Sequence, residues 1–482
     1  MAYPPAKPDE APGRALVVFN RFGLGARPGD MARLGRKLDS DPRAVLKAEL
    51  ATREIALIPT FTVHDDQSVT ELPGSTAAIQ ASMAEAIERK AMRDRGAATG
   101  SPAKPAKPGL PSVEQKLFRA EEQARFDKAL QVEIGFVERL VAFWSNHFCV
   151  SAAKDNIVRV SAGAFEREAI RPHILGRFSD MLLAVEHHPA MLFFLDNQQS
   201  VGPDSRAGGH GRRGLNENLA REVLELHTLG VGSGYTQADV TTFARILTGW
   251  TMAGREGGLG QPGTFAFNAN AHEPGDETFM GKTYPAGGEG QAEAVLNDVA
   301  RHPATARHIA TKLAQHFIAD DPPPSAVARL TAAFSRHDGD LRVMALTLIN
   351  MPEAWSHPLT KMRSPLDYAL AMRRAIGPAP GADPGQTLNW LNMLGEPLWQ
   401  PPEPNGYPDT AAAHASPAGM KMRLDIAWQA ARQMKTIGDP NALLTDIVGP
   451  SASPETRQAV ARAASRQQAV ALLLMSPEFQ RR

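Results

Sequence analysis

Apolar residues recur at helical spacing along most of the chain. Between residues 113 and 148 they return every three or four positions, which predicts one long helix. Segment 253–290 differs, because Gly, Asn and Pro interrupt short apolar alternations, and we expect a hairpin or an ordered loop there. The same reasoning predicts helices at 76–95, 160–178, 177–186, 216–229, 236–248, 303–318, 324–336, 341–351, 364–376, 384–394, 411–434, 441–448 and 454–474. The predicted fold class is mainly α, a large multi-helical body with a hairpin excursion.

Two stretches rich in Pro and Ala interrupt the helical pattern. We expect residues 1–13 to be disordered and residues 96–112 to form a flexible Pro/Ala/Lys linker. The predicted organisation is therefore an N-terminal helical part at 14–95, the linker, and a main helical domain at 113–482 that contains the excursion 253–290.

Composition excludes several classes of protein. The chain has 52 Lys and Arg against 52 Asp and Glu, and a net charge of zero argues against a nucleic-acid binder that depends on a basic field. No apolar run is long enough for a transmembrane helix, so no membrane span is expected. A single cysteine, Cys149, excludes an internal disulfide framework. The N-terminal residues lack an apolar signal region, so the expected compartment is the cytoplasm.

The segment 216–230 carries the most informative polar pattern. At about 100° per residue, Asn218 and Glu225 lie within about 60° of Glu222 and form a polar strip beside an apolar edge. Two carboxylates on such an edge are costly unless cations or a metal compensate them. His227 projects about 160° away from Glu225, so a straight helix cannot make both side chains ligands of one ion.

Two interpretations of this strip stay open. Glu222 and Glu225 are metal ligands or an acid–base pair, or the charges are structural. Arg221 stands four residues from both Glu217 and Glu225, so ion pairs along the helix satisfy those two carboxylates, whereas Glu222 has no such partner. Spacing alone favours the structural interpretation.

Three further groups of residues are candidates for chemistry. Asn146 and His147 end the long apolar helix. Asp196 and Asn197 follow a His-His-Pro step, and His272 lies in an acidic loop of the excursion, where a solvated turn is the simpler interpretation.

Two other groups give weaker signals. His308, Lys312 and His316 share a helix face, but the lysine between the histidines argues against a metal, and a solvated or half-buried face is the better interpretation. The basic loop 206–213 lacks the ending of a phosphate-binding loop and is too short for a nucleic-acid stripe.

Long sequence blocks resemble a known family. They are FNRFGLGARPGD, FWSNHF at 143–148, and the segments 165–200, 216–250 and 265–284. Together they resemble the large bacterial family DUF1800 (domain of unknown function 1800) over about residues 16–480. The family's usual His-Asp-x-Gly piece reads His272–Glu273–Pro274–Gly275 here, which puts a strict ligand role for that acid in doubt.

The resemblance favours a functional polar site over a purely structural one, because the matching blocks hold more polar residues than helix packing requires. It implies no reaction, so whether the chain is an enzyme stays open. The first interpretation is an enzyme with a carboxylate and histidine polar site that performs metal-assisted hydrolysis or oxidation. The expected catalytic residues are Glu222, Glu225, His147, Asn146 and Asn218, joined by Asp196, Asn197 or His272. The expected ligands of a divalent metal ion are Glu222, Glu225, His147 and His272.

The resemblance also suggests an alternative without catalysis. Genes of this family often stand beside those of a sulfatase-like family that carries an export signal. The chain is then an accessory or export partner of such a protein, and it reaches the periplasm by hitchhiking export.

Overall fold

The structure is a computed structural model that describes residues 13–59, 61–63, 69–98, 111–208, 214–255, 258–356, 358–377, 384–434 and 438–482. Helices make up 64% and strands 4% of it, which confirms the mainly-α fold class. The predicted disordered start and most of the predicted linker at 96–112 lie outside the described residues. Among the described helices, none combines the length and the apolar character that a membrane crossing needs.

The helices follow one another with short connections. In the first half the α-helices are Arg14–Leu16, Asp30–Ser40, Pro42–Glu49, Ser75–Ala98, Val113–Gln131, Phe136–His147, Asn156–Phe165, Phe178–His187, Pro189–Phe194, Asn218–Glu222 and Gln237–Ile246. In the second half they are Glu289–Arg301, Pro303–Phe317, Pro324–Arg336, Leu341–Asn350, Glu353–Ser356, Pro365–Ile376, Gly385–Met393, Ala411–His414, Pro417–Gln433, Pro440–Ile447, Pro454–Ala461, Arg466–Met475 and Pro477–Gln480. The described 3₁₀ turns are Arg53–Ala56, Arg171–His173, Asn197–Gln199 and Gly449–Ser451.

Among the described residues, strands occur as three short antiparallel pairs. Phe61–Val63 pairs with Val69–Glu71, Trp250–Met252 with Phe265–Phe267, and Glu277–Phe279 with Lys282–Tyr284. The last two pairs confirm the hairpin excursion that the alternating pattern near 253–290 predicted. In the second pair Trp250 lies opposite Phe267, so aromatic side chains fix the register.

The single long helix predicted at 113–148 is wrong. The chain forms two helices there, Val113–Gln131 and Phe136–His147, because Gly135 adopts a left-handed φ of 89° between them. The guanidinium of Arg374 donates to two carbonyl oxygens just after the first helix. The apolar periodicity of the sequence continues through this break.

A large hydrophobic core joins most of the described elements. Its buried side chains run from Val17 near the start to Phe479 near the end, and they include residues of both predicted parts of the chain. The predicted division into an N-terminal part, a linker and a main domain stays a prediction.

Three π-helical segments interrupt the part of this helical body that the structure describes. They are Val17–Phe22, Glu166–Ile170 and Val223–His227, and each overlaps a block that carries the family resemblance. A π-turn widens the helix and is frequent at functional sites. Each segment buries a polar or charged residue, so the widened turns concentrate chemistry inside the core.

Candidate functional site

A cavity of about 270 Å³ opens between two helices and a long loop. Its walls come from the end of Phe136–His147, from Pro303–Phe317 and from the loop that follows Gly385–Met393. The titratable side chains that line it are Arg125, His147, Cys149, Lys312, His316, Asp367, Glu396, Tyr407 and Asp409. This volume accommodates a small molecule, at the low end of ligand pockets.

One wall of the cavity carries a compensated charge network. Nδ1 of His316 lies 2.6 Å from Oδ2 of Asp409, and Oδ1 of Asp409 accepts from Arg482 at 3.2 Å. Lys361 lies 3.2 Å from the same oxygen. These cationic neighbours hold the pKa of Asp409 well below its usual range, although burial alone would raise it. Asp409 therefore stays ionised and orients the imidazole of His316.

Lys312 lies one turn before His316 on the same helix and faces the cavity. Its side chain is half-buried, and among the described residues its ammonium makes no hydrogen bond or ion pair. Burial lowers the pKa of Lys312 to about 8, while Cys149 and Asp409 oppose this shift. About a tenth of such amines are neutral at pH 7, far more than for an ordinary lysine. The shared helix face was predicted to be solvated or half-buried, and the half-buried alternative describes it.

The predicted polar strip divides into paired and unpaired carboxylates. Arg221 binds Glu217 at 3.1 Å and Glu225 at 3.4 Å, as the four-residue spacing predicted. Glu222 is half-buried and has neither an ion pair nor a hydrogen bond within the described part of the chain. Burial raises the pKa of Glu222; His227 and Arg221 oppose this rise and Glu225 adds to it.

The helix that carries this strip is not a straight α-helix. It is α-helical over Asn218–Glu222 and then π-helical over Val223–His227. The uniform rotation per residue of an α-helix therefore does not continue after Glu222. The wider turn exposes carbonyl oxygens at its end. The carbonyl of His227 lies 3.2 Å from Nε2 of His147, and the Leu226 backbone binds His308.

These two contacts fix the tautomers of two histidines. A carbonyl oxygen only accepts, so the ring nitrogen of His147 or His308 that contacts it carries the proton. The opposite nitrogens, Nδ1 of His147 and Nε2 of His308, are buried and have no partner among the described residues. The two rings lie 6.3 Å apart, and burial lowers the pKa of His147 well below its usual range and that of His308 to about 4. Both imidazoles are thus neutral with a free lone pair.

His227 takes a different partner from Glu225. Nδ1 of His227 lies 2.7 Å from Oε1 of Glu186, and both side chains are fully buried. Glu225 instead turns to Arg221. The two residues therefore do not share one ion, in agreement with the angular argument.

The predicted amide residues have structural contacts. Asn146 accepts from the backbone N–H of Tyr407 and donates to its carbonyl oxygen, both at 2.8 Å. These bonds hold the long loop that lines the cavity, so Asn146 fixes the position of this loop. Asn218 is exposed at the start of its helix, where its backbone N–H donates to Asn216.

The other candidates hold loops outside the cavity. Nδ1 of His272 lies 2.9 Å from the carbonyl oxygen of Thr248, and Asn197 donates to two backbone carbonyls. Asp196 forms an ion pair with Lys154 at 2.6 Å.

The four predicted metal ligands are not gathered at one point. Glu222, Glu225, His147 and His272 supply no set of three donor atoms within 4.8 Å of one another in the described part of the chain. The common helix face of His308, Lys312 and His316 was visible in the sequence, but Lys312 and His308 were not among the predicted site residues. What the sequence could not show is that Lys312 faces a cavity without a partner.

Comparison with known proteins identifies the family. A family model described as "Protein of unknown function (DUF1800)" matches residues 17–481. Neither the curated proteins nor the solved structures supply a match. Since the model spans almost the whole chain, the protein belongs to the DUF1800 family.

Proposed function

We propose that the protein is an enzyme that performs acid–base chemistry on a small polar substrate in the cavity, with Lys312 as the base. The observation that carries this proposal is the half-buried ammonium of Lys312, which faces the cavity without a partner. Burying a cation without compensation costs free energy, and folding alone gives no reason to keep it. Strongly shifted titratable groups in a cavity are typical of active sites.

The lowered pKa gives Lys312 a chemical use. A base works best when its pKa lies near the working pH, because it is then unprotonated and still a strong proton acceptor. In the proposed step Nζ of Lys312 takes a proton from the substrate. The same neutral amine is also able to attack a carbonyl carbon.

Glu222 is the proposed second titrating group. Glu222 and Lys312 both act electrostatically on the thiol of Cys149, where Lys312 lowers the pKa and Glu222 raises it. The raised pKa of Glu222 lets the carboxyl group keep a proton longer than an exposed glutamate does. We assign it the return of a proton to the product.

Cys149 itself is not a nucleophile in this proposal. Burial raises the pKa of its thiol to about 12, and the sulfur donates to two backbone carbonyls of the long loop. A thiol that stays protonated packs and does not attack.

Labelling of individual amines at graded pH tests the central claim. We expect half-maximal acylation of Lys312 near pH 8, its lowered pKa, and the exposed Lys421 serves as the control lysine. A substrate panel of small hydroxy, keto and ester compounds then compares the wild type with Lys312→Met and Lys421→Met. Loss of turnover in the first variant alone supports the proposal, whereas an ordinary pKa for Lys312, or undiminished turnover in Lys312→Met, contradicts it.

The interpretations from the sequence remain beside this one. Metal assistance at Glu222, Glu225, His147 and His272, and the accessory role beside a sulfatase-like partner, stay predictions. Leu424 and Trp428 are exposed one helical turn apart, but isolated apolar side chains at a surface are normal and select no partner.

A further inference from the structure

A second group of unpartnered side chains lies away from the cavity. The helix Phe178–His187 ends at His187, and the helix Glu289–Arg301 presents Glu289 and Glu293 beside it. Each of these three residues offers a ligand atom, and the three atoms lie within 4.8 Å of one another. We propose that His187, Glu289 and Glu293 form a binding site for a divalent transition-metal ion.

The imidazole of His187 is held in a fixed position. Its ring centroid lies 4.3 Å from that of Trp250 and 4.3 Å from that of Phe265. Nε2 of His187 is buried and makes no hydrogen bond in the described part of the chain. An oriented nitrogen with no partner is costly in a folded protein, and a metal ion satisfies it.

The spacing of the donor atoms suits a shared ion better than a direct bond. Nε2 of His187 lies 3.7 Å from Oε1 of Glu293, which is too far for a hydrogen bond. Two donors bound to one tetrahedral zinc ion at ordinary lengths lie about 3.4 Å apart. Small side-chain movements therefore bring both atoms to a common ion.

The negative charges of Glu289 and Glu293 also favour the binding of a cation. Glu289 and Glu293 stand four residues apart on one helix, where like charges repel. Among the described residues neither forms an ion pair with a lysine or arginine. Burial and the charge of Glu293 raise the pKa of Glu289. The positive end of the helix accounts for an acid at Glu289, but it accounts for neither Glu293 nor the unpartnered nitrogen.

The donor set indicates the class of metal. One imidazole with two carboxylates is typical of borderline first-row ions such as Zn²⁺, Mn²⁺ or Fe²⁺, whereas Ca²⁺ and Mg²⁺ prefer oxygen alone. Both carboxylates reach solvent, so water or a ligand completes the coordination. The proposal goes beyond the acid–base site, since no residue is shared with the cavity.

Titration with Zn²⁺ tests the site directly. Calorimetry on the metal-stripped full chain is expected to show one Zn²⁺ per chain, and Co²⁺ in its place is expected to give a visible absorption spectrum. Glu289→Gln and Glu293→Gln lie at the surface, and each is expected to weaken binding about tenfold or more. His187→Asn is expected to abolish it.

Three matched controls make the outcome decisive. Asp298→Asn removes a charge from the same helix, His337→Asn removes an exposed histidine, and Lys312→Met alters the cavity. All three are expected to bind Zn²⁺ as the wild type does. If His187→Asn fails to fold, the two glutamine variants still decide. The proposal is overturned if the wild type binds no stoichiometric Zn²⁺, or if both glutamine variants bind Zn²⁺ with the affinity of the wild type.

Discussion

Two groups of charges in this molecule, one buried and one half-buried, are built in opposite ways. Around Arg171, Glu138 accepts two bonds at 2.9 and 3.0 Å, and Glu166 accepts from Arg171 and from Arg125. Lys312 at the cavity and Glu222 at the end of the helix Asn218–Glu222 have no charged or hydrogen-bonded partner among the described residues. The first arrangement compensates its own desolvation and the second does not, so the second is the one that folding alone fails to explain.

The largest expected effect on stability comes from removing Arg171 from its buried ion pairs with Glu138 and Glu166. Arg171→Met leaves Glu138 and Glu166 buried without their bidentate partner. We expect the free energy of unfolding in urea to fall by about 3–5 kcal/mol. Arg177→Met is the control, because the Arg177–Asp338 pair is exposed and its loss costs less than about 1 kcal/mol. Equal losses in the two variants would remove the distinction between compensated and exposed pairs.

Removal of the unpaired Lys312 ammonium is expected to raise the free energy of unfolding, in contrast to the decrease expected for Arg171→Met. Lys312→Met takes away a charge that is desolvated without compensation, so we expect the free energy of unfolding at pH 7 to rise by about 1 kcal/mol. The pKa of Lys312 is lowered from 10.5 to about 8 on folding, so the unfolded chain binds more protons between these values. The wild type should therefore gain stability relative to Lys312→Met as the pH rises from about 8 to 10.5. Urea titrations of both proteins across this range measure it, and a difference independent of pH would contradict it.

Removal of the unpaired Glu222 carboxylate is also expected to give a pH-dependent change in stability, but a smaller one. The pKa of Glu222 is raised, so the folded chain holds its proton to higher pH than the unfolded chain does. The wild type should lose stability relative to Glu222→Gln as the pH rises through the window just above 4.5. At neutral pH we expect the variant to be more stable by about 0.5–1 kcal/mol, since Glu222 is only half-buried. Thermal unfolding at several pH values measures this, with Glu217→Gln as the control carboxylate on the same helix.

The smallest effect is expected at the surface pairs of that helix. Arg221→Met removes the bonds to Glu217 and Glu225, which are partly exposed. We expect a loss below about 0.5 kcal/mol in urea unfolding, and a further decrease of this loss in high salt. A loss comparable with that of Arg171→Met would show that partial exposure does not weaken these pairs.

Local patterns in the sequence predicted the features that depend on neighbours along the chain. The Arg221 pairs follow from a four-residue step, and Thr236 and Asp239 form a capping box at the start of the helix that was predicted at 236–248. The apolar alternation near 265 predicted a hairpin for the same reason.

Features that depend on distant segments could not be predicted in this way. The bond from His147 to the His227 carbonyl joins two segments 80 residues apart. The π-turn at Val223–His227 breaks the even rotation on which the angular argument relied. Whether Lys312 has a partner depends on the loop around Asp409, so no pattern within its own helix reveals it.

The first π-helix has a consequence for how the chain is made. Asn20 accepts a bond from Arg363, and Arg21 donates to the carbonyl oxygens of Ala354 and Pro358, more than 330 residues away. During synthesis these hydrogen bonds cannot form until residues in the last third of the chain have left the ribosome. Contacts of such long range slow folding and leave apolar surface uncovered meanwhile. The nascent chain is therefore expected to need chaperones, and fragments that lack the C-terminal helices to aggregate.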